Sequence, residues 1–444
     1  MRIAHFCDSR PGRIDGVSTS ATLTVGLLRE AGHDVRFFHP TPAPPVNKAA
    51  TDRDDHIASV PIPFRDLRLA KPWLRIDPGP VDVIHAHTTG PIGMAGFRLA
   101  RARNVPLVIT WHTDLVAYGD HFFEVPIGAA YCARRLGLGW TAAETLELVG
   151  KRRRTRLLDL GRGMMSYASM VLAPSGKTAA GLAEFGELPP VRVVRTPVIL
   201  PDGGRTRAEM RARIGIAPDV PLVLSVGRVT GEKNPELLLR AFELVRRRLP
   251  RARLVILGVR QGTRPVRALI RDLGMTAQCR RASPMRGLGM GSTARGSRVP
   301  QAVEDGPTPL GSGMRTPVGS GVPRAAGDVI LLPPVTRDQV AGYYRAADVL
   351  AFASGTDTQS LVMAEAESQG LPVVMADPAL AADTPWRMCA EPNPESMAAA
   401  IVAMLADRAL RDRTTRAGLA VAAAYDADAY LAALTDAYEA CLIR

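Results

Sequence analysis

The sequence predicts an α/β protein built of two doubly wound, Rossmann-like domains that face each other across a cleft. Short β-branched apolar runs alternate with stretches of helical period, which is how parallel strands covered by helices on both faces read in a sequence. The series runs once and restarts near residue 221. Between the two series lies 196–202 (TPVILPD), whose prolines give it the character of an interdomain linker.

In the first series, strands are expected at 2–7, 34–39, 82–87, 106–112 and 170–174, with helices at 19–31 and 93–103. The second series places strands at 221–227, 252–258, 328–332, 348–353 and 371–376, and helices at 235–248, 337–346, 360–369 and 394–405. The domains are therefore read as 1–197 and 198–423. A last helix, 424–444, spotted with Tyr425, Tyr430 and Tyr438, has no strand after it and could pack on either domain. One stretch breaks the pattern: 282–327 has ten glycines, six prolines and five arginines, with only Glu304 and Asp305 acidic. Such a composition cannot bury a core, so a poorly ordered insertion is expected there. Its Gly287, Gly289 and Gly291 resemble a dinucleotide loop but lack the strand before and the helix after that give such a loop meaning.

Composition narrows the function. The 444 residues are 46% apolar and 22% charged, enough for a large core and too few charges for wholesale disorder. No apolar run reaches the roughly 18 residues of a membrane-spanning helix. Residues 1–9 (MRIAHFCDS) lack the basic-then-apolar order of a signal peptide, and a cytoplasmic protein is expected. The five cysteines, at 7, 132, 279, 389 and 441, form no CxxC pair, which argues against structural zinc and a disulfide framework. A net charge of +13 suits phosphate, nucleic acid or an anionic membrane surface. Nucleic-acid binding has no aromatic platform or recognition motif behind it.

The residues that carry chemistry cluster at predicted strand ends, where open parallel sheets bind ligands. Loop 12–18 (GRIDGVS) joins the first strand to the first helix and lets a phosphate approach a helix N-terminus through small residues such as Gly16. All eight histidines lie between His5 and His121. His112 ends an apolar strand and faces the cleft, where imidazole can donate, accept or orient a proton; a packed strand-end histidine is the plainer reading. His85 and His87 share one strand face as a metal pair would, but no third ligand is evident. Arg228 and Lys233 flank a turn just before a helix, so both charges and the helix amides could converge on a diphosphate; two solvated surface charges are the alternative. Asp357 and Glu365, at the start of a helix and two turns into it, could point along one side of the cleft toward vicinal hydroxyls, or be an N-cap and a solvated side chain. Gly176-Lys177-Thr178 looks like the end of a Walker A loop, but Val171 stands where its first glycine belongs. No GxSxG elbow is present. The cluster Lys151, Arg152, Arg153, Arg154 and Arg156 reads as a solvated helix face or a contact for anionic lipid head groups.

Taken together these segments resemble the GT-B fold, retaining, nucleotide-sugar-dependent glycosyltransferases of family 4. The resemblance spans nearly the whole chain outside 282–327. It rests on Asp15-Gly16-Val17-Ser18, His85-Ala86-His87, Thr110-Trp111-His112-Thr113, Pro174-Ser175, 225–234 (SVGRVTGEKN), 343–348 (YYRAAD) and 356–374 (TDTQSLVMAEAESQGLPVV), the last two being the most specific. It implies that Arg228 and Lys233 hold the pyrophosphate of a UDP-, GDP- or dTDP-sugar, that Gly16 admits it, and that Glu365 binds the ribose. Asp357 would bind the donor sugar beside Ser360 and Leu361, and His112 would line the reaction centre, with His87, Thr113 and Asp114 on the acceptor side. It further implies that no metal is needed, because the two cations and the helix amides stabilise the departing diphosphate, and that the terminal helix crosses back to the first domain. The acceptor is expected to be the hydroxyl of a lipid or phospholipid-linked molecule, with peripheral contact to an anionic membrane. A soluble natural-product acceptor and a catalytically inactive nucleotide-sugar-binding regulator are the alternatives. Three departures stand out: aspartate at 357 where glutamate is usual, Ser360 in place of a common glycine, and Arg195-Thr196-Pro197 where an Asn-Gly pair is usual.

Overall fold

The computed structural model describes residues 1–13, 15–41, 54–62, 68–119, 121–122, 124–201, 204–260, 263–279 and 327–443. Stretch 282–327, with its glycine loop, lies outside them except for Gly327.

In the first domain β1 (Arg2–Phe6), β2 (Asp34–Pro40), β3 (Asp54–Ile57), β6 (Val83–Ala86), β7 (Leu107–Thr110), β8 (Met170–Ala173) and β9 (Val191–Val193) form one parallel sheet in the order β3-β2-β1-β6-β7-β8-β9. A small antiparallel pair, β4 (Ser59–Pro61) and β5 (Arg68–Ala70), lies beside it. The helices are α1 (Gly16–Glu30), α2 (Pro91–Arg103), α3 (Leu115–Gly119), α4 (Val125–Leu136), α5 (Ala142–Leu146), α6 (Arg153–Met165) and α7 (Gly176–Leu182). Alternation along each strand sends side chains to opposite faces. Ala4 and Phe6 join a core with Phe97, Leu157 and Met164, while Ile3 and Cys7 join another with Val25 and Leu28.

The second domain repeats the scheme. Strands β10 (Leu222–Val226), β11 (Arg253–Leu257), β12 (Ala277–Cys279), β13 (Val329–Leu332), β14 (Val349–Phe352), β15 (Val373–Met375) and β16 (Met388–Cys389) form a parallel sheet in the order β12-β13-β11-β10-β14-β15-β16. Its helices are α8 (Arg207–Ile214), α9 (Pro235–Arg248), α10 (Arg264–Asp272), α11 (Arg337–Ala346), α12 (Leu361–Ser368), α13 (Pro378–Ala381), α14 (Pro394–Ala406) and α15 (Arg408–Ala424). Leu254 and Ile256 face one core and Val255 and Leu257 the other. After Tyr425 the chain turns by 49° into α16 (Ala427–Leu442). That helix buries Tyr430, Leu434 and Tyr438 against Ile3, Val83 and Val108 of the first sheet, and Tyr430 OH lies 2.6 Å from Thr24 Oγ1. Among the described residues no single helix is long and apolar enough to cross a membrane.

Each sheet starts in its middle: β1 has β2 on one side and β6 on the other, and β10 has β11 and β14. The chain therefore changes direction at β1/β6 and at β10/β14, and the loops leaving those strand ends open a crevice. Helices α9 and α11 match the predicted bounds, and most strands are one or two residues shorter than their apolar runs. The edge strands β3, β9, β12 and β16 were not predicted, since two to four residues carry too little pattern.

Candidate active site in the interdomain cleft

The second domain's half of the cleft is built at the end of β10. A short helical turn over Gly231–Lys233 leads to Asn234, whose left-handed backbone (φ 48°) and side chain cap α9 by accepting the Leu237 amide at 3.2 Å. The Glu232 carbonyl of that turn accepts Ser354 Oγ (2.9 Å) and Thr356 Oγ1 (3.4 Å) from the loop after β14. This strapping brings Lys233 to Asp357, with Nζ 2.7 Å from both carboxylate oxygens. Arg228 donates to Glu232 Oε1 at 3.1 Å, and the Glu232 side chain is 1% exposed. The two cations line one cavity at the switch point, Lys233 held by Asp357 and Arg228 tethered to Glu232 with its side chain 39% exposed.

The first domain closes over them. Burial pushes the Tyr118 phenol up to about 12, with Asp357 and Arg228 within electrostatic reach, so α3 stands opposite the cations. A Cβ on Gly231 would lie 3.7 Å from His121 Nδ1. On the other side a Cβ on Gly16 would meet only Leu361 Cδ1, at 4.0 Å, so the two residues face each other with little between them. Thr230 Oγ1, Glu232 Oε2 and Ser360 Oγ are buried without hydrogen-bond partners among the described residues. Orphaned polar atoms around one crevice are what a polar ligand would satisfy.

Ser360 precedes α12 with a left-handed backbone (φ 57°), so the helix starts at Leu361 and not at 360 as predicted. Glu365 on α12 is 7% exposed; burial pushes its carboxyl up, opposed chiefly by Arg337, which pairs with Oε1 at 3.0 Å, and by Tyr344, which donates to Oε2 at 2.8 Å. Arg337 also donates to Thr19 Oγ1 and Ile199 O, tying this carboxylate to the first domain. Asp357 and Glu365 are each matched to a separate cation, one in a loop and one on a helix, in place of the shared row the spacing suggested.

His112 lies at the end of β7, and its carbonyl accepts Thr358 Oγ1 across the cleft at 3.2 Å. Burial pushes its imidazole down to about 4. Asp114 caps α3, accepting the Val116 and Ala117 amides at 3.0 Å, with half-buried Thr113 beside it. His87 corrects the expectation of an acceptor-side residue: it is 3% exposed and sits behind His112, with Nδ1 3.1 Å from His112 Nε2. A third histidine does accompany His85 and His87, namely His5 on β1, against the sequence reading. Yet His85 is engaged by Tyr438 OH (2.6 Å) and Thr110 Oγ1 (2.7 Å), and both nitrogens of His87 bond other imidazoles. Of their six nitrogens only His5 Nε2 lacks a partner among the described residues.

Several residues at the cleft carried no sequence signal of their own. Lys177, set aside with the failed Walker motif, reaches from α7 to Asp377 (2.6 Å) and to the carbonyls of Gly355 (2.7 Å) and Asp357 (3.1 Å). Asp383 occupies that helix's N-terminus, accepting the Lys177 amide at 2.8 Å, where a nucleotide phosphate would sit in a P-loop. Thr178 donates to Thr358 O, and Gln359 bonds Thr196 through both side-chain atoms. Tyr118, Lys177 and Arg337 are isolated in sequence from the motifs they serve, and only its place in the first turn of a helix after a strand marks Lys177. The basic cluster is largely paired: Arg152 with Glu147, Arg154 with Glu184, and Arg156 with Glu144, Glu147 and Asp159.

Comparison with known proteins agrees with this geometry. The profile of Glycosyltransferase Family 4 matches residues 14–200, and profiles of Glycosyl transferases group 1 match 206–282 and 311–407. The chain is 25% identical over 386 residues to the alpha-monoglucosyldiacylglycerol synthase of Streptococcus pneumoniae, covering 84% of this chain and 70% of that protein. It is 29% identical over 371 residues to the D-inositol 3-phosphate glycosyltransferase of Xylanimonas cellulosilytica, covering 80% and 71%. Among solved structures, sucrose-phosphate synthase of Thermosynechococcus elongatus superposes with a TM-score of 0.63 at 18% identity, covering 99% and 98% of the two chains. HepE of Anabaena, solved with UDP and glucose, gives 0.63 at 14% identity over 99% and 100%. Two facing parallel sheets, the motif residues gathered at their switch points and these matches lead to one conclusion: the chain is an enzyme belonging to the GT-B glycosyltransferases of the family 4 type.

Proposed function

We propose that the protein transfers a sugar, with retention of anomeric configuration, from a nucleoside-diphosphate sugar to the hydroxyl of a lipid or phospholipid-linked acceptor. The observation that carries the donor half is the convergence of Arg228 and Lys233 on the β10/β14 switch point, under Tyr118 of the opposite domain. Breaking the anomeric bond places negative charge on the departing diphosphate, and fixed cations stabilise that charge most when the bond is broken. Lys233, Arg228 and the amides at the start of α9 would hold it. Gly16 and Leu361 leave a gap through which the diphosphate would meet the first domain. Glu365 would accept from the ribose hydroxyls, and Asp357 from the sugar once Lys233 has turned to phosphate. Lys177 and Thr178 bond the carbonyls of Asp357 and Thr358 across the cleft, and a closed arrangement of this kind would exclude water from the reacting centre.

The acceptor half draws on the surface of the first domain. Trp73, Ile127, Leu146 and Val149 are 73%, 72%, 68% and 67% exposed, large apolar side chains facing solvent. Lys71, Arg75, Arg134 and Lys151 are exposed near them, and Tyr131 of α4 joins the Trp73 loop by donating to Pro72 O at 2.8 Å. Apolar side chains ringed by cations suit the boundary of an anionic membrane, where a lipid acceptor would be collected. The named activity of the Streptococcus pneumoniae relative, a glucosyldiacylglycerol synthase, supports this reading.

Calorimetric titration with UDP, GDP and dTDP in the presence of EDTA tests the donor half. Binding of at least one, lost in Lys233→Ala, is expected; no binding of any removes the proposal. Sedimentation with vesicles tests the acceptor half: the protein should pellet with anionic vesicles and not with phosphatidylcholine vesicles, and Trp73→Ser with Ile127→Ser should release it.

A further inference from the structure

Three histidines run in a line from the cleft into the interior. His112 Nε2 is 3.1 Å from His87 Nδ1, and His87 Nε2 is 2.9 Å from His5 Nδ1. The ring centroids are 5.4 and 5.2 Å apart with tilts of 21°, which at those nitrogen separations sets the rings end to end and nearly coplanar. His85 lies alongside, its centroid 4.2 Å from that of His87, and is outside the line because Tyr438 and Thr110 engage it. His5 is fully buried, and its Nε2, at the inner end, has no partner among the described residues.

A neutral imidazole carries one proton on two nitrogens, so each must donate at one end and accept at the other. The line consequently has two neutral arrangements. With the protons on all three Nε2 atoms, His112 donates inward, and the line ends in a buried N–H on His5 with nothing to accept it. With the protons on all three Nδ1 atoms, His5 donates to His87, His87 donates to His112, and the inner end is a bare lone pair. A buried N–H without an acceptor is the rarer and more costly orphan. The outer end, His112 Nδ1, belongs to the partly buried ring at the cleft.

We propose that His5 and His87 are positioning residues that hold His112 in its Nδ1–H tautomer, so that the reaction-centre imidazole meets the sugar nucleotide as a hydrogen-bond donor. This rests on the reading of His112 as lining the reaction centre. Burial keeps all three rings neutral at pH 7, so the arrangement persists at working pH. The consequence for the reaction is specific. His112 Nδ1 has no lone pair to take the acceptor hydroxyl's proton, so His112 is not the base, and that proton passes to another acceptor, for which an oxygen of the departing diphosphate is available.

The test is the tautomer itself, read from nitrogen-15 shifts and ring couplings in the full chain with labelled histidine. His112 is assigned by loss of its signals in His112→Asn. Protonated Nδ1 and bare Nε2 on His112 are expected; the reverse overturns the proposal. Two variants separate positioning from packing. His5→Asn keeps an amide donor near the Nδ1 position and should keep the tautomer and the turnover. His5→Leu removes the donor, and should leave His112 with mixed tautomers and lower kcat about tenfold, the weight of one hydrogen bond, with the donor KM within about twofold. Turnover is followed as nucleoside diphosphate released from UDP-, GDP- and dTDP-glucose. A folded His5→Leu protein with an unchanged tautomer and unchanged kcat would overturn the idea. Absence of turnover with all three donors would instead remove the reading of the site, while the tautomer, measured on the protein alone, still decides the positioning claim.

Discussion

Lys233 Nζ lies 2.7 Å from both carboxylate oxygens of Asp357, so the cation that would grip a diphosphate is held by the carboxylate that would bind the sugar. Donor binding has to divide this pair. Asp357→Asn removes the competing charge and should tighten UDP or GDP binding while lowering turnover, because the sugar loses its acceptor. Calorimetry beside steady-state rates checks the split; affinity and turnover falling together would show that Asp357 acts only by orienting Lys233.

A second ion pair bears on stability. Glu367 on α12 accepts from Arg387 Nε (2.7 Å), Arg387 Nη2 (2.6 Å) and Trp386 Nε1 (2.9 Å), with the side chains 4% and 6% exposed. Arg387→Met leaves a buried carboxylate without its cation and should cost about 3–5 kcal/mol in chemical denaturation. Adding Glu367→Gln should recover most of that loss, because the uncompensated charge is then gone.

Lys177 joins the domains through three acceptors, two of them in the loop that presents Asp357. In Lys177→Ala the loop loses its charged anchor while each domain keeps its own core. The unfolding midpoint should change little, and kcat/KM for the donor should fall about tenfold or more, as expected for loss of a charge-assisted hydrogen bond. Small-angle scattering should show a wider molecule than the native protein.

The buried histidines set the acid limit of stability. Burial lowers the folded-state values of His5, His85, His87 and His112, the last to about 4, below the ordinary 6.5. The unfolded chain therefore binds more protons, and stability falls as pH drops from about 6.5 toward 4. By pH 5 each imidazole kept neutral contributes a loss of about 2 kcal/mol. Thermal unfolding across that range should show the decline, and His85→Gln should make it shallower.

Much of the architecture was legible because its signals are local. The apolar runs around Ile3, Val223 and Val349 are long enough to be strands, and Asn234-Pro235 marks the start of α9. The same holds for the cleft's inventory: Gly16, His112, Arg228, Lys233, Asp357 and Glu365 follow strand ends and so gather wherever parallel sheets put their loops. Burial at the single-residue level was not legible, since His87 sits one strand position from the cleft and reads as exposed as His112 does.

The sequence by itself determined two doubly wound sheets, the strand ends that carry the chemistry and the membership of a glycosyltransferase family, since each follows from residue types at short spacing. Tertiary structure alone decided the pairings: Lys233 with Asp357, Glu365 with Arg337, Lys177 with Asp377, and His5 behind His87 behind His112. Their partners lie from 25 to 200 residues apart. Hydrogen bonds and ion pairs act over a few ångströms, so which groups they join depends on how the chain packs and is invisible in its linear order.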